Sequence, residues 1–349
     1  MIAPLRNLLN TLLIVLLITS SVSESFARVP SKKAKAAEPI DWRKHFDAGY
    51  AAMNRRDYVN AKKELLIAVA GAPREVAAQY YLGIAAAYGN DYQTAQQAMS
   101  RVVIMTPTGS EYNKNALQFF KNSQRQIGIL QPYPVEADGK LIRWDSRIMP
   151  IRVHVTQGLQ LPSEFSGDAL TMDKFPSLQP YLSRSDFYKR LGQCQGYEPD
   201  WYGAALGGLQ QWKWAMAEGV LKYQVVPTPQ QADIIVFWCP AMVNLSGRTY
   251  FSTGVGSKVV VQLCSKMSDA FPKWIKPTLI SNTAAHEFGH AWGLAAHSPN
   301  IKDLMSPERE TIILHYSGGV GHMSAGVTAN DCAVLRALYQ IPPDVYLTR

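Results

Sequence analysis

The chain has 349 residues, of which 47% are hydrophobic and 18% are charged. This length suggests two domains, and the apolar fraction is large enough for a sizeable core, which excludes a wholly disordered chain. The 24 glycines and 21 prolines follow no triplet period, which excludes collagen. After residue 20 no apolar run is long enough to cross a membrane, which excludes a multi-span membrane protein.

The formal net charge is +8, and the excess lies mainly before residue 131. The basic residues are spread thinly, and no stretch rich in Lys and Arg is interleaved with aromatic residues. This pattern is typical of a solvated surface with a basic N-terminal tail. It argues against nucleic acid as a partner.

Residues 1–27 are similar to a secretory signal peptide. Arg6 supplies the positive charge, residues 12–18 form a short apolar core, and Ser25 and Ala27 offer small side chains at the −3 and −1 positions of a cleavage site. We therefore predict that the protein is exported, to a periplasm or to the external medium. Contact with a membrane is expected only if the segment remains uncleaved as an anchor. Residues 28–39 are predicted to be a flexible basic leader.

Four cysteines lie in the C-terminal two-thirds of the chain. They are Cys194, Cys239, Cys264 and Cys332. In an exported chain an even number of cysteines favours two disulfide bonds, for which three connectivities exist. Cys239 and Cys264 each end a strand-like run, so they are the favoured pair if those strands are neighbours. No CxxC spacing occurs, which argues against a thiolate zinc site.

Residues 40–130 contain an internal repeat with a period of 34 residues. The identical pairs at this offset include Gly49 and Gly83, Ala52 and Ala86, Asp57 and Asp91, Tyr58 and Tyr92, Ala61 and Ala95, and Pro73 and Pro107. Small residues let two helices approach closely, and the proline ends the second helix. The pattern resembles two tetratricopeptide repeats (TPR) over residues 42–107, and an amphipathic segment at 111–127 can cap them.

The TPR resemblance leaves two roles for these helices open, because fold does not determine function. They are either a platform that binds a protein partner or a helical spacer. Two repeats and a cap fall short of the roughly three units that a stable array usually needs. We therefore expect the array to be stabilised by contacts with the downstream domain or with a partner. Residues 131–140 are rich in Pro, Asp and Gly and are predicted to be a linker to a second domain at 141–349.

The chemistry of the second domain is indicated by the segment HEFGHAWGLAAH, which begins at His286. On a helix, His286 and His290 lie one turn apart on one face and can hold one metal ion. Glu287 is then placed to reach a metal-bound water. Gly293 can take a positive φ and end the helix, so that the chain brings His297 round as a third ligand. Three imidazoles leave one position open, as in catalytic zinc sites.

This motif resembles that of the metzincin zinc endopeptidases, and the matrixin-like branch is the most similar over residues 141–341. Residues 303–307 (Asp-Leu-Met-Ser-Pro) resemble the methionine turn of those enzymes, an apolar floor beneath the metal. The resemblance implies one catalytic Zn²⁺ and gives no indication about Ca²⁺. The implied site residues are the metal ligands His286, His290 and His297, the catalytic base Glu287, and the structural residues Gly293 and Met305.

Further segments resemble elements of the matrixin-like branch. They are an opening strand at 149–155 with Ile151, Val153 and Val155 on one face, a long helix at 202–220, a buried strand at 232–236, and a closing helix at 333–339 capped by Asn330 or Asp331. The chain departs from that branch in three ways. It lacks histidines for a second, structural zinc site and the cysteine of a propeptide switch, and residues 157–200 are an insertion.

The implied fold class is α+β, with N-terminal TPR-like helical hairpins followed by a zincin-like domain of a mixed sheet plus helices. The implied activity is that of a zinc-dependent endopeptidase that acts on exported or extracellular peptides and proteins. In such an enzyme Glu287 activates a zinc-bound water. We expect an extended substrate to add alongside an edge strand at residues 258–263.

Two alternatives to this interpretation stay open. In the first, the protein is a binding scaffold in which the TPR-like repeats recruit a partner and the zinc domain has little activity. In the second, His154, His315 or His322 has a catalytic or metal role. Each of these three is isolated in the sequence, and such histidines more often lie on the surface or form ordinary hydrogen bonds.

Overall fold

The computed structural model describes residues 39–252, 254–267, 271–307 and 326–349. The predicted signal peptide (1–27) and all but the last residue of the predicted leader (28–39) lie outside the described residues. Residues Ile40–Arg349 form one compact unit. Within the described residues, no helix has both the length and the apolar character to span a membrane.

The unit begins with a series of helices. They are α1 (Trp42–Asn54), α2 (Tyr58–Gly71), α3 (Val76–Tyr88), α4 (Tyr92–Met105), α5 (Glu111–Asn122) and α6 (Gln124–Ile127). The second pair begins 34 residues after the first, and Asp57 and Asp91 cap α2 and α4 at equivalent positions. Gly49 leaves room for Leu65, since a Cβ atom there would lie 2.7 Å from Leu65 Cγ. The predicted helical region is confirmed.

The rest of the chain forms mixed β-structure with helices, as predicted. Its strands are β1 (Ile142–Trp144), β2 (Ile151–Gln160), β3 (Tyr223–Val225), β4 (Ile234–Cys239), β5 (Gly247–Tyr250), β6 (Val259–Cys264) and β7 (Val345–Leu347). Its helices are α7 (Phe175–Leu178), α8 (Ser185–Lys189), α9 (Asp200–Gln210), α10 (Lys213–Ala217), α11 (Lys276–Ala291) and α12 (Ala329–Tyr339). The main sheet has the order β3-β2-β4-β6-β5, in which only β5 is antiparallel to its neighbour. Strands β1 and β7 pair separately.

Both faces of the main sheet are covered, which explains why β4 and β6 are buried along their whole length and are apolar except for Gln262. Helices α9 and α11 pack against one face. The predicted insertion, residues 157–200, covers the other face, where Phe175 and Phe187 contribute to a core with Ile235 and Phe237. The insertion therefore contributes to the core that buries this face of the sheet.

Three sequence-based predictions about these elements are wrong. The run at 258–263 is β6, which is paired on both sides, so the edge strand is β5. The four residues of β5 are too few to show a strand pattern in the sequence. The long helix predicted at 202–220 is interrupted at residues 211–212, between α9 and α10. Helix α12 is capped by Thr328, which forms a reciprocal capping box with Asp331.

The helical array packs against the downstream part of the chain, as expected for so short an array. Helix α4 contacts α12, and Ala333 joins the apolar cluster of α4 and α5. At the surface, the Arg74 guanidinium donates two hydrogen bonds to the Asp344 carboxylate, at 2.5 and 3.2 Å. The array is therefore stabilised by the polypeptide that follows it.

All four cysteines are described, and all are free thiols. Strands β4 and β6 are neighbours, and Cys239 and Cys264 lie opposite each other in them, with their Sγ atoms 3.8 Å apart. The neighbouring Cys264 thiol and burial raise the pKa of Cys239. Cys194 contacts the Ser265 hydroxyl, and Cys332 lies in α12. The structure thus brings the favoured pair together without a bond, and the expectation of two disulfides is not met.

Candidate metal centre

Helix α11 carries His286 and His290, and it ends between His290 and His297, as the motif requires. Trp292 caps the helix, and Gly293 then takes a φ of +110°. A Cβ atom at Gly293 would lie 2.3 Å from the Ile142 carbonyl oxygen, so only glycine fits this turn. The turn returns the chain to the same side of the helix and brings His297 back towards His290.

The ligand nitrogens of the three histidines all lie within 4.8 Å of one another. His290 Nε2 lies 3.1 Å from His286 Nε2 and 3.2 Å from His297 Nε2. For a tetrahedral ion with metal–nitrogen bonds of about 2.0–2.1 Å, the nitrogen–nitrogen edge is about 3.3 Å. The observed distances match that edge, and the three side chains could hold one metal ion.

The opposite ring nitrogens of the two helical histidines are held by backbone carbonyl groups. His286 Nδ1 lies 2.7 Å from the Leu304 carbonyl oxygen, and His290 Nδ1 lies 2.6 Å from that of Leu294. A carbonyl only accepts hydrogen bonds, so each Nδ1 carries the proton and each neutral ring presents an unprotonated Nε2. Two such lone pairs facing each other at 3.1 Å repel unless a cation lies between them. The arrangement therefore fits a bound cation.

Burial favours the neutral, metal-binding form of these rings. It lowers the pKa of His290 well below its usual value, and the neighbouring His286 and His297 lower it further. Burial also lowers the pKa of His297. A neutral imidazole is the form that binds a metal ion, so this environment favours coordination.

Met305 lies beside α11, within the segment that resembles a methionine turn. Its side chain is fully buried, and a Cβ atom at Gly289 would lie 2.3 Å from its sulfur. Gly289 precedes His290, so Met305 packs against the helix directly beside a predicted ligand. Met305 is therefore placed to support the helix by apolar packing and not to coordinate a metal ion.

Glu287 lines the same cleft as the three histidines and is 5% exposed. The Thr249 hydroxyl of β5 lies 2.7 Å from Glu287 Oε2 and 2.9 Å from the Glu287 backbone oxygen. A Cβ atom at Gly247 would lie 2.8 Å from Glu287 Cγ. Two residues of edge strand β5 therefore position this carboxylate. The Thr249 hydroxyl group binds it, and Gly247 leaves space for it.

Replacing Thr249 with valine is expected to lower the rate of the peptide hydrolysis that the sequence motif predicts by about 10-fold, because a hydrogen bond to a charged group contributes roughly 1.5–3 kcal/mol. The change keeps the shape of the side chain and removes the donor to Glu287. Turnover of a peptide substrate measures the effect. Thr156→Val is the matched control, because the Thr156 hydroxyl is buried without a hydrogen-bond partner. Equal activity of both variants would contradict a role for Thr249.

The cleft has a volume of about 560 Å³ and passes between β5 and α11. Besides the histidines and Glu287, its lining is largely apolar and includes Met172, Met242, Leu245, Met267, Phe271 and Leu279. A cleft of this size and character suits a ligand with apolar side chains.

Sequence reasoning identified the histidines and Glu287 but missed the groups that hold them. Thr249 lies in a strand that the sequence does not reveal, and the carbonyl groups of Leu294 and Leu304 have no sequence pattern, because every residue has a carbonyl. Among the other candidates, His154 lies on β2, where its Nδ1 contacts the Val226 carbonyl oxygen at 3.0 Å, and it is not part of the cluster. His315 and His322 lie outside the described residues.

Comparison with known proteins assigns no family to the chain. No protein-family model, no curated protein and no solved structure matches it. What the site does must therefore be argued from its residues and geometry.

Proposed function

We propose that the protein is a zinc-dependent endopeptidase that hydrolyses peptide bonds of exported or extracellular proteins. One observation carries the proposal. His290 Nε2 lies at the spacing of a tetrahedral ion from the Nε2 atoms of His286 and His297, in a cleft that is also lined by the buried carboxylate Glu287. A cation-binding cluster and a proton acceptor in one cleft are the two elements that metal-assisted hydrolysis requires.

Zinc is the metal that this ligand set favours. Imidazole nitrogen suits zinc well, and three protein ligands with one open position are typical of catalytic zinc sites. A zinc ion held by three imidazoles acts as a Lewis acid that acidifies water and polarises a substrate carbonyl group. His286, His290 and His297 would hold it, and the backbone carbonyl groups behind two of them would keep their rings in place.

Glu287 is the proposed general base and general acid. Its carboxylate accepts a proton from the attacking water and passes that proton to the leaving amine nitrogen. The Thr249 hydroxyl holds one carboxylate oxygen, which orients the group. The missing side chain at Gly247 leaves space beside the other oxygen, since a Cβ atom there would lie 3.1 Å from Glu287 Oε1.

Edge strand β5 is the proposed docking site of the substrate. It is one of the two edge strands of the main sheet among the described residues, the other being β3, and its residues Gly247, Arg248 and Thr249 line the cleft. An extended peptide can pair with such an edge through backbone hydrogen bonds. The apolar lining then favours substrates with apolar side chains near the scissile bond.

We further infer that residues 141–349 form a metzincin-type domain of the matrixin-like branch. The support is the spacing of the histidines, the turn at Gly293 and the buried Met305 beside α11. The 34-residue recurrence of the N-terminal helices supports TPR-type repeats. Export of the protein rests on residues 1–27 alone.

Partner binding by the helical repeats is a second candidate function, and a specific feature favours it. A connected series of aromatic rings runs across α1, α3 and α5, with centroids 5.0–6.5 Å apart. Its members are Trp42, Phe46, Tyr50, Tyr81, Tyr80 and Tyr112. Tyr50 is 41% exposed, and aromatic residues are enriched at protein interfaces.

The purified full-length protein is expected to cleave members of a peptide library, to lose this activity completely in a zinc chelator, and to regain it when Zn²⁺ is added back. The physical reason is that hydrolysis requires the ion that the three histidines hold. Cleavage products identified by mass spectrometry measure the effect. Cleavage that the chelator leaves unchanged would contradict the proposal. A zinc-loaded protein that cleaves nothing would favour the scaffold function instead.

A further inference from the structure

Tyr133 lies in the linker that follows the helical repeats, and its side chain is 1% exposed. Its hydroxyl group donates a 2.6 Å hydrogen bond to Oδ1 of Asp331, a fully buried carboxylate in the first turn of α12. Burial and the Asp331 charge raise the pKa of Tyr133 well above its usual value, so the hydroxyl remains a donor. Nearby, the Gln131 backbone N–H donates to Asn330 Oδ1 at 2.7 Å.

The Asp331 carboxylate holds the turn that contains Met305. The backbone N–H of Leu304 donates to Oδ2 at 3.0 Å, and that of Met305 donates to Oδ1 at 3.4 Å. The Thr328 backbone N–H donates to Oδ2 at 2.8 Å. Donors therefore act on both oxygens, and a buried carboxylate that is satisfied in this way has a fixed position.

The same turn orients one of the histidines. The Leu304 carbonyl oxygen accepts the hydrogen bond from His286 Nδ1 at 2.7 Å. A shift of Leu304 therefore tilts the His286 ring and moves its Nε2 atom relative to the other two nitrogens. Outer-shell groups commonly control metal sites in this way.

A second branch of the network reaches the third histidine. Asp303 accepts hydrogen bonds from Asn330 Nδ2, at 3.0 and 3.1 Å, and from the Ser298 hydroxyl at 2.5 Å. Ser298 follows His297 directly, and its backbone N–H donates to the Met305 carbonyl oxygen at 2.8 Å. Through these hydrogen bonds, the start of α12 holds both the turn that contains Met305 and the segment that carries His297.

We propose that Tyr133 is a positioning residue for the three-histidine cluster: its hydroxyl group fixes Asp331, and Asp331 fixes the turn whose Leu304 carbonyl orients His286. The metal centre then requires the linker as well as residues 141–349. The inference rests on the metal site of the proposed function but not on peptide hydrolysis, because zinc binding alone tests it.

The test is the zinc affinity of full-length Tyr133→Phe, measured by competition with a chromogenic chelator. Loss of an outer-shell partner typically lowers metal affinity by about 10- to 100-fold. We expect Asp331→Asn to fall in that range. We expect Tyr133→Phe to weaken zinc binding by about 3- to 10-fold, because it acts one hydrogen bond further from the metal. The visible absorption spectrum of the Co²⁺-loaded variant should also shift relative to wild type.

Tyr188→Phe is the matched control, since this buried hydroxyl donates to the Leu182 carbonyl oxygen at 2.7 Å in the core on the other face of the sheet. Unfolding temperatures of the metal-free proteins measure any general loss of stability. Wild-type zinc affinity and an unchanged Co²⁺ spectrum in Tyr133→Phe would overturn the inference, as would an equal loss of affinity in Tyr188→Phe. A wild-type chain that binds zinc but cleaves nothing would overturn only the proposed peptidase function.

Discussion

Replacing Glu287 with glutamine is expected to lower the rate of peptide hydrolysis by about 10²- to 10⁴-fold, the usual contribution of a positioned general acid–base group. The amide keeps the shape of the side chain and can still accept the hydrogen bond from Thr249. It cannot take a proton from water at neutral pH. Zinc content is expected to be unchanged, because none of the three ligands is altered. Steady-state cleavage of a peptide substrate and elemental analysis of the same sample measure both results.

The control for this variant is Glu218→Gln. Glu218 is a surface carboxylate that pairs with Arg336 at 2.6 Å and does not line the cleft. It is expected to cleave substrate at the wild-type rate. A Glu287→Gln protein that cleaves as fast as wild type would show that Glu287 is not the base. If that variant loses zinc as well as activity, the missing metal explains the loss of activity, and the expectation that Glu287 does not hold the metal is contradicted.

Replacing His290 with alanine is expected to abolish activity and to weaken zinc binding by more than the roughly 100-fold that loss of an outer-shell partner costs. His290 is the central member of the cluster, since its Nε2 atom lies within 3.2 Å of both other Nε2 atoms. Without His290, only two imidazole nitrogens remain to bind the ion. Zinc affinity by chelator competition measures the effect, and turnover of a peptide gives the second readout.

His154→Ala is the matched control for the metal site. His154 is half-buried, has a pKa that burial lowers, and donates one hydrogen bond from Nδ1 to the Val226 carbonyl oxygen, away from the cluster. It is expected to bind zinc as wild type does. If both variants lost zinc to the same degree, the loss would reflect damage to the fold and would contradict the assignment of His290 as a ligand.

The sequence predicts the three histidines of the site because they all lie in one short segment of the chain. Two histidines four residues apart on a helix face the same way, and a glycine that ends the helix lets the third return. The supporting groups come from distant segments. Thr249 is 38 residues from Glu287, and Tyr133 is 198 residues from Asp331. Such contacts depend on the tertiary fold, and no local pattern encodes them.

In the fold, too, local features can be predicted from the sequence, whereas contacts between distant segments cannot. The 34-residue period predicts the N-terminal helices well, because capping and close packing are local properties that recur. The buried strands β4 and β6 are visible as apolar runs. Strand order is not visible, and the sequence therefore wrongly predicts that the run at 258–263 is an edge strand: the short antiparallel strand β5 that pairs with it has no pattern of its own.

The most direct test of the account is the zinc content of the purified full-length protein, measured by elemental analysis after dialysis with zinc and removal of the excess. Three imidazoles whose ligand nitrogens lie within 4.8 Å of one another, two pairs of them at the spacing of a tetrahedral ion, predict one zinc ion per chain. A folded protein that remains metal-free after this treatment would contradict the metal centre and every proposal that depends on it.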